Sequence, residues 1–454
     1  MFKLLRFLKD YKKESLIAPL LKMIEAIFDL LVPLVVASII DNGISKSDNE
    51  YVLKMGGVLL ILALLGLTFA ITAQYYAAKA AAGFGTGIRH SLFDHIQSLS
   101  YTQLDKQGTS SLITRMTSDI NLIQSQVNMA IRLLLRSPFI VFGAMIMAFT
   151  VDVKTALIFV VAIPLLSIVV FGIMLITIPL YRRVQNRLDK VLNTTRENLN
   201  GVRVIRAFNK QQEEKDRYRE ENELLNRFQI FAGKISTIMN PATYIIINVA
   251  IIAILWFGGK RVYTGALTQG QVVAMVNYMS QILIELIKLA NLIINLTKAF
   301  ACAGRVNAVF DIEKGMSDGS VTETPDSDIV VEFDNVSLSY EGSKEASIEG
   351  LNLTVKKGET VGIIGGTGSG KTTLVNMMPR FYDATSGEVK ICGLNVKEYK
   401  IEALRKLFGI VPQKALLFKG TIRSNMLWGN ENATEEDIID ALKISQSYDF
   451  VIQK

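Results

Sequence analysis

Cysteine is nearly absent from the chain: 454 residues hold two, Cys302 and Cys392, far apart and without a CxxC pair or a histidine-rich neighbourhood. Neither a disulfide framework nor a zinc site is expected from such a pattern. Histidine is as scarce, with His90 and His95 lacking ligand-type neighbours and fitting the surface of a helix. Charged residues make up only 20%, half of the residues are hydrophobic, and mean hydropathy is +0.31. That balance argues against both a wholly soluble globule and a disordered chain. There is no low-complexity tract or internal repeat. The basic amino-terminal stretch (Lys3, Arg6, Lys9, Lys12, Lys13) is not followed by a small-residue cleavage pattern, so no cleaved signal peptide is expected. The net charge of +7, from 49 Lys and Arg against 42 Asp and Glu, is carried by residues lying between apolar runs. Such placement points to a membrane, not to nucleic acid.

A length of 454 residues allows two or three domains. A bilayer core of about 30 Å takes about 20 mainly apolar residues per helix. Six runs qualify: roughly Leu16 to Ile40, Gly56 to Ala82, Leu133 to Val151, Thr155 to Tyr181, Ser236 to Gly258 and Gly270 to Phe300. Short connections alternate with two long ones, Gly83 to Arg132 and Arg182 to Ile235. The second carries thirteen Lys and Arg. The positive-inside bias puts this loop and both chain ends in the cytoplasm. Rich in Leu, Arg, Glu and Gln, the long loops read as helical continuations of the spans. The 31 residues of Gly270 to Phe300 alone would reach about 46 Å as a helix, more than the bilayer needs.

The expected division is 1–312 as an all-α six-helix transmembrane domain, 313–328 as a polar linker, and 329–454 as an α/β P-loop nucleotide-binding domain, incomplete at its carboxyl end. In the last part, Ile329 to Phe333, Leu351 to Val355 and Thr360 to Ile364 read as strands, with Lys357-Gly358 as a turn. Thr434 with Asp437 reads as a capping box opening a helix through Lys443.

The strongest chemical signal is Gly365-Gly366-Thr367-Gly368-Ser369-Gly370-Lys371-Thr372, which fits G-x-x-x-x-G-K-[ST] between a strand-like and a helical stretch. Glycines let several backbone N–H groups face one point, and the following helix adds its positive end. A triphosphate is the expected ligand, with Lys371 neutralising the β and γ phosphates, Thr372 ligating Mg2+, and Thr373 within reach of the α phosphate.

Around that loop the chain resembles one half-transporter of the ATP-binding cassette (ABC) exporters. The resemblance rests on Thr109 to Asp119, Gly201 to Phe208, Tyr340, Gly365 to Thr373 and Val411 to Gln413. The wording is similar to heterodimeric bacterial multidrug exporters. It implies that Tyr340 stacks on adenine. It also implies that Gln413, after the short hydrophobic strand Phe408 to Val411, touches Mg2+ and the attacking water. Short coupling helices near Tyr101 to Ser110 and Ala207 to Arg217 are implied to rest on nucleotide-binding domains. The family's signature loop, its strand ending in Asp and Glu, and its switch histidine have no counterpart after Lys371, so the chain reads as a fragment that binds ATP without efficient turnover.

The function so implied is ATP-driven export of lipophilic or amphipathic small molecules across the plasma membrane, with a second half-transporter as partner. Alternatives are a degenerate-site regulatory partner subunit and a lipid or peptide exporter. Within the first span, Lys22, Glu25 and Asp29 share one helical face. Ionisable groups at membrane depth face a cavity, a partner helix or one another. Glu25 and Asp29 are therefore candidate contacts for cationic amphipathic substrates, with an internal pair to Lys22 or snorkelling toward the headgroups as the plainer alternatives. Glu285 and Lys288 form a similar i,i+3 pair in the last span. The many Met and Phe of the spans read first as packing.

Overall fold

The computed structural model describes residues 1–340, 343 and 345–453. Two compact units emerge: Met1–Gln97 with Ser110–Ile312, and Ser98–Thr109 with Glu313–Lys454. The short segment Ser98–Thr109, inside the first long loop, thus belongs with the second unit.

The first unit is helical. A 3-10 stretch, Phe2–Tyr11, leads into α1 (Lys12–Ser38) and α2 (Asn49–Gln97). The next helices are α3 (Tyr101–Gln107, in the second unit), α4 (Thr109–Thr114), α5 (Ile120–Leu133), α6 (Arg136–Val151) and α7 (Val153–Asn200). They are followed by α8 (Val202–Ala207), α9 (Gln211–Tyr263) and α10 (Gln269–Phe310). Among the described residues six stretches are long and apolar enough to cross a membrane: Lys3–Ile44, Asn49–Gln97, Thr109–Val151, Val153–Asn200, Gln211–Tyr263 and Gln269–Phe310. The two long loops do continue the spans as helix. The short helix of the second loop, however, is Val202–Ala207, and Ala207 to Arg217 is not a separate helix. Asn209, with φ 55°, breaks the chain there, and Gln211 onward is already the first turns of α9.

Proline is tolerated inside α1 (Pro19, Pro33), α7 (Pro164, Pro179) and α9 (Pro241). Neighbouring helices can satisfy the backbone groups it frees. The core joins α1, α6, α7, α9 and α10 through Ala26, Leu30, Ile140, Ala144, Phe159, Ile254 and Tyr278. Small residues set its closest approaches: a Cβ on Gly143 would meet Leu30 Cδ1 at 2.5 Å. Helix α10 is the most buried span and is pinned at its start. Thr268 and Gln271 form a capping box, and the Gly270 N–H donates to Asp41 Oδ1 at 2.8 Å. Deeper down, the Tyr278 hydroxyl donates to the Leu30 carbonyl at 2.7 Å, replacing the water it cannot reach.

The second unit carries a four-stranded antiparallel sheet in the order β2-β1-β3-β4, with β1 Ile329–Leu338, β2 Ile348–Lys356, β3 Ser386–Ile391 and β4 Leu394–Asn395. Its core of Phe333, Val336, Leu338, Val389 and Ile391 receives Leu374 and Met377 from α11 (Lys371–Met377). The expected strands at Thr360 to Ile364 and Phe408 to Val411 do not form. No strand among the described residues runs alongside either as a ladder partner, and a backbone without one stays irregular. Their apolar side chains stand outside the core, Ile364 and Val411 both at 96% exposure. The segment read as a linker is tied down: Val321 bridges Tyr399, and the Ile401 N–H donates to Asp318 Oδ1 at 2.7 Å. The helix opened by the Thr434 and Asp437 capping box is present over Glu435–Ile444.

Candidate functional site

The glycine-rich loop enters α11 through two left-handed residues, Gly368 at φ 85° and Gly370 at φ 83°. Only glycine adopts such angles without strain. Gly370 has a second reason for lacking a side chain, because a Cβ there would lie 2.6 Å from the Ser347 carbonyl oxygen and 3.1 Å from Ile348 Cγ1. The loop therefore lies directly against the start of β2. Nothing would meet a Cβ on Gly366 or Gly368 within 4 Å, so one side of the loop is open to a ligand.

Lys371 curls over the loop. Its Nζ donates to the carbonyl oxygens of Gly365 at 2.9 Å and Gly366 at 2.6 Å and to Ser369 Oγ at 3.2 Å. The first N–H groups of a helix have no acceptor inside it. Together with the Lys371 ammonium and the exposed Thr372 hydroxyl they form a donor set suited to polyphosphate, with one hard oxygen ligand for a cation.

Thr373 points the other way. It is buried, and its Oγ1 lies 3.0 Å from the Tyr340 hydroxyl. Tyr340 stands two residues beyond β1 and meets the ring of Tyr382 edge-on, centroids 5.2 Å apart at 87°. Tyr382 in turn donates to Asp105 Oδ2 at 2.6 Å and packs near Tyr101, whose ring also lies 4.7 Å from that of Phe381. Burial first, then the hydrogen bond to the Asp105 carboxylate, hold the Tyr382 phenol above the ordinary tyrosine range. Two features aim Phe381 and Tyr382 at this contact: the left-handed turn at Arg380 (φ 52°) and the Arg380 Nε bond to Asp383 Oδ1 at 2.7 Å.

Unbroken side-chain contact thus links the phosphate loop to α3, which is Tyr101–Gln107 within the expected first coupling region. Sequence reasoning missed Tyr382 and Asp105, which carry no motif. An aromatic pair soon after the loop helix was the available signal. Gln413 is placed differently. It lies in an exposed irregular stretch and makes no hydrogen bond to the loop among the described residues.

In the first unit the carboxylates of α1 meet an unforeseen partner. Arg136, at the start of α6, donates to Asp29 Oδ2 at 2.8 Å and to Glu285 Oε1 at 2.9 Å, with Glu25 Oε1 at 3.7 Å. Lys22 Nζ bonds Glu25 Oε2 at 2.5 Å, and Glu285 also accepts from Ser137 Oγ at 2.7 Å and Lys288 at 2.8 Å. Three cations balance three carboxylates across α1, α6 and α10. The i,i+3 pairs were legible in sequence. Arg136 was not, since it is more than a hundred residues from either acid in the chain.

Comparison with known proteins agrees with this architecture. The family model "ABC transporter transmembrane region" matches residues 15–286, and the model "ABC transporter" matches residues 348–454. The ABC transporter ATP-binding protein YfiB of Bacillus subtilis is 34% identical over 454 residues, 100% of this chain and 79% of its own length. The putative multidrug export ATP-binding/permease protein YgaD of the same organism is 32% identical, covering 99% of this chain and 78% of its own. An ATP-dependent lipid A-core flippase of Syntrophus aciditrophicus is 29% identical over 80% of this chain and 61% of its own. With six apolar spans and an ATP-binding domain on one polypeptide, the chain belongs to the ABC transporter family, as a multi-pass membrane protein of the half-transporter exporter type.

Proposed function

We propose that this chain pairs with a second ABC half-transporter in the plasma membrane, both termini cytoplasmic, and uses Mg2+ and ATP to export amphipathic small molecules. The observation that carries the reading is the loop Gly365–Thr373, with Lys371 folded back onto the Gly365 and Gly366 carbonyls at the start of α11 and open space around Gly366 and Gly368. In this reading Gly365, Gly366, Thr367, Gly368, Ser369 and Gly370 wrap the phosphates, and Lys371 exchanges its bonds to the loop carbonyls for the β and γ phosphates. Thr372 ligates Mg2+, and Tyr340 offers its ring to adenine while Thr373 holds that ring's hydroxyl. Gln413 approaches Mg2+ and the attacking water only after its exposed stretch is ordered. The partners of Lys371 are carbonyls and a serine hydroxyl, none of them a carboxylate able to act as general base. Residues 1–454 alone should then hold nucleotide better than they hydrolyse it.

Of the two candidate substrate carboxylates, Glu25 pairs with Lys22 and is largely buried, whereas Asp29, although bonded to Arg136 at 2.8 Å, keeps 44% of its side chain exposed. Asp29 is the one able to meet a cationic group. The test is substrate-stimulated ATP hydrolysis by the complete dimer in lipid. Lys371→Ala should abolish nucleotide binding at this loop and cut stimulated turnover by at least tenfold. Unchanged binding would overturn the assignment.

A further inference from the structure

The amino-terminal stretch Phe2–Tyr11 is a 3-10 helix, with three residues to the turn, so side chains three apart stand in rows. Leu4 and Phe7 share one row, and Leu5, Leu8 and Tyr11 another. Lys3, Arg6 and Lys9 form a third, which Lys12, the first residue of α1, extends. Two aromatic rings four residues apart fix the stretch on α2. A Cβ on Gly83 would overlap the Tyr11 ring, and one on Gly87 would touch Phe7, so these two glycines make room for them.

The cationic row is divided. Lys3 Nζ donates to Asp311 Oδ1 at 3.0 Å, and the Arg6 guanidinium lies 5.7 Å from the centre of the Phe310 ring, both at the end of α10. Lys9 and Lys12 form no ion pair among the described residues. Glu14, the acid of the first turn of α1, is taken by Lys79 at 2.9 Å, and Asp10 stands in the row of Leu4 and Phe7.

The two unpaired lysines border a groove of about 330 Å³ in the corner between the stretch and α1, floored by Leu5, Leu8 and Leu16. Ser15 also lines it, and its Oγ is shut off from water without a hydrogen-bond partner among the described residues. Native structures seldom leave such a group idle. Lys12 lies four residues, about 6 Å, before Leu16, where the apolar run of α1 begins. That is the depth of the headgroup layer outside a hydrocarbon core of about 30 Å.

We infer that this corner holds one anionic phospholipid of the bilayer, its phosphate between Lys9 and Lys12 with Ser15 Oγ donating to it, and the upper part of an acyl chain along Leu5, Leu8 and Leu16. The inference goes beyond the exporter reading and needs only that the chain spans a bilayer.

The test counts, by native mass spectrometry, the lipid retained by the full exporter after extraction from vesicles of equal phosphatidylglycerol and phosphatidylcholine. Wild type should retain phosphatidylglycerol at least fivefold over phosphatidylcholine. Lys9→Gln with Lys12→Gln should remove one phosphatidylglycerol per chain and leave phosphatidylcholine retention unchanged, a selective loss that a misfolded protein would not give. Ser15→Ala should lower phosphatidylglycerol retention about twofold. Lys13→Gln, at an exposed lysine outside the groove, should alter neither lipid. Equal retention of the two lipids, or the same loss from Lys13→Gln as from the double variant, would overturn the inference. So would displacement of the lipid by glycerol 3-phosphate, which would make a free phosphate the ligand. Nucleotide takes no part in the measurement, so a negative result leaves the exporter reading standing.

Discussion

At the scale of single residues, Gly370 shows how one position serves both backbone and packing. Its φ of 83° and the 2.6 Å that would separate an added Cβ from the Ser347 carbonyl oxygen penalise any side chain twice. A left-handed non-glycine residue costs about 1–2 kcal/mol before the clash is counted. Gly370→Ala should accordingly lower the thermal midpoint of the second unit and weaken ATP binding, read by calorimetry and nucleotide titration. Gly366→Ala, where nothing would meet the Cβ, should leave the midpoint close to wild type. Equal effects from the two substitutions would refute the packing argument. The glycine spacing was readable in the sequence; the carbonyl it must avoid, contributed from the start of β2, was not.

Among the helices, Arg136 is the residue on which three elements depend. It lies under Asp29, Glu25 and Glu285 from α1 and α10, and the Glu285 side chain is only 5% exposed. Removing one partner of a buried pair strands the other charge, at a cost of about 3–5 kcal/mol. Arg136→Met should destabilise the membrane unit by that order in detergent, and Glu285→Gln in the same chain should recover part of the loss. Additive losses would mean the two groups do not share a network. The helices themselves were legible from apolar run lengths, because burial in lipid demands them. The strands were less so. Thr360 to Ile364 has strand composition but no neighbouring strand among the described residues, and β-structure is a property of pairs, not of a segment.

For the whole molecule, the contact running Thr373, Tyr340, Tyr382 and Asp105 ends on α3, and α3 is covalently continuous with the membrane helices on either side of it. Tyr382→Phe keeps the ring and removes the bond to Asp105. Basal hydrolysis by the complete dimer should remain within about twofold, while stimulation by transported compound should fall severalfold; retained stimulation would exclude the relay. The raised pKa supplies a pH signature. Because the folded state favours the neutral phenol, its contribution is complete below the ordinary tyrosine value of about 10 and is lost as pH rises through the higher folded value. Stimulation in wild type should therefore decline on strong alkalinisation, and Tyr382→Phe should lack that decline.

The sequence by itself determined that this is a membrane-spanning ATP-binding chain, because hydrophobic run length and glycine spacing are local quantities that solvent and backbone geometry read directly. Only the tertiary structure decided which charges neutralise one another and which remain available. Arg136 and Glu285 lie 149 residues apart in the chain yet bond at 2.9 Å, while Lys3 reaches Asp311, 308 residues away, and Lys9 and Lys12 of the same row reach no carboxylate among the described residues. Electrostatic pairing depends on distance in space, and helix packing sets that distance.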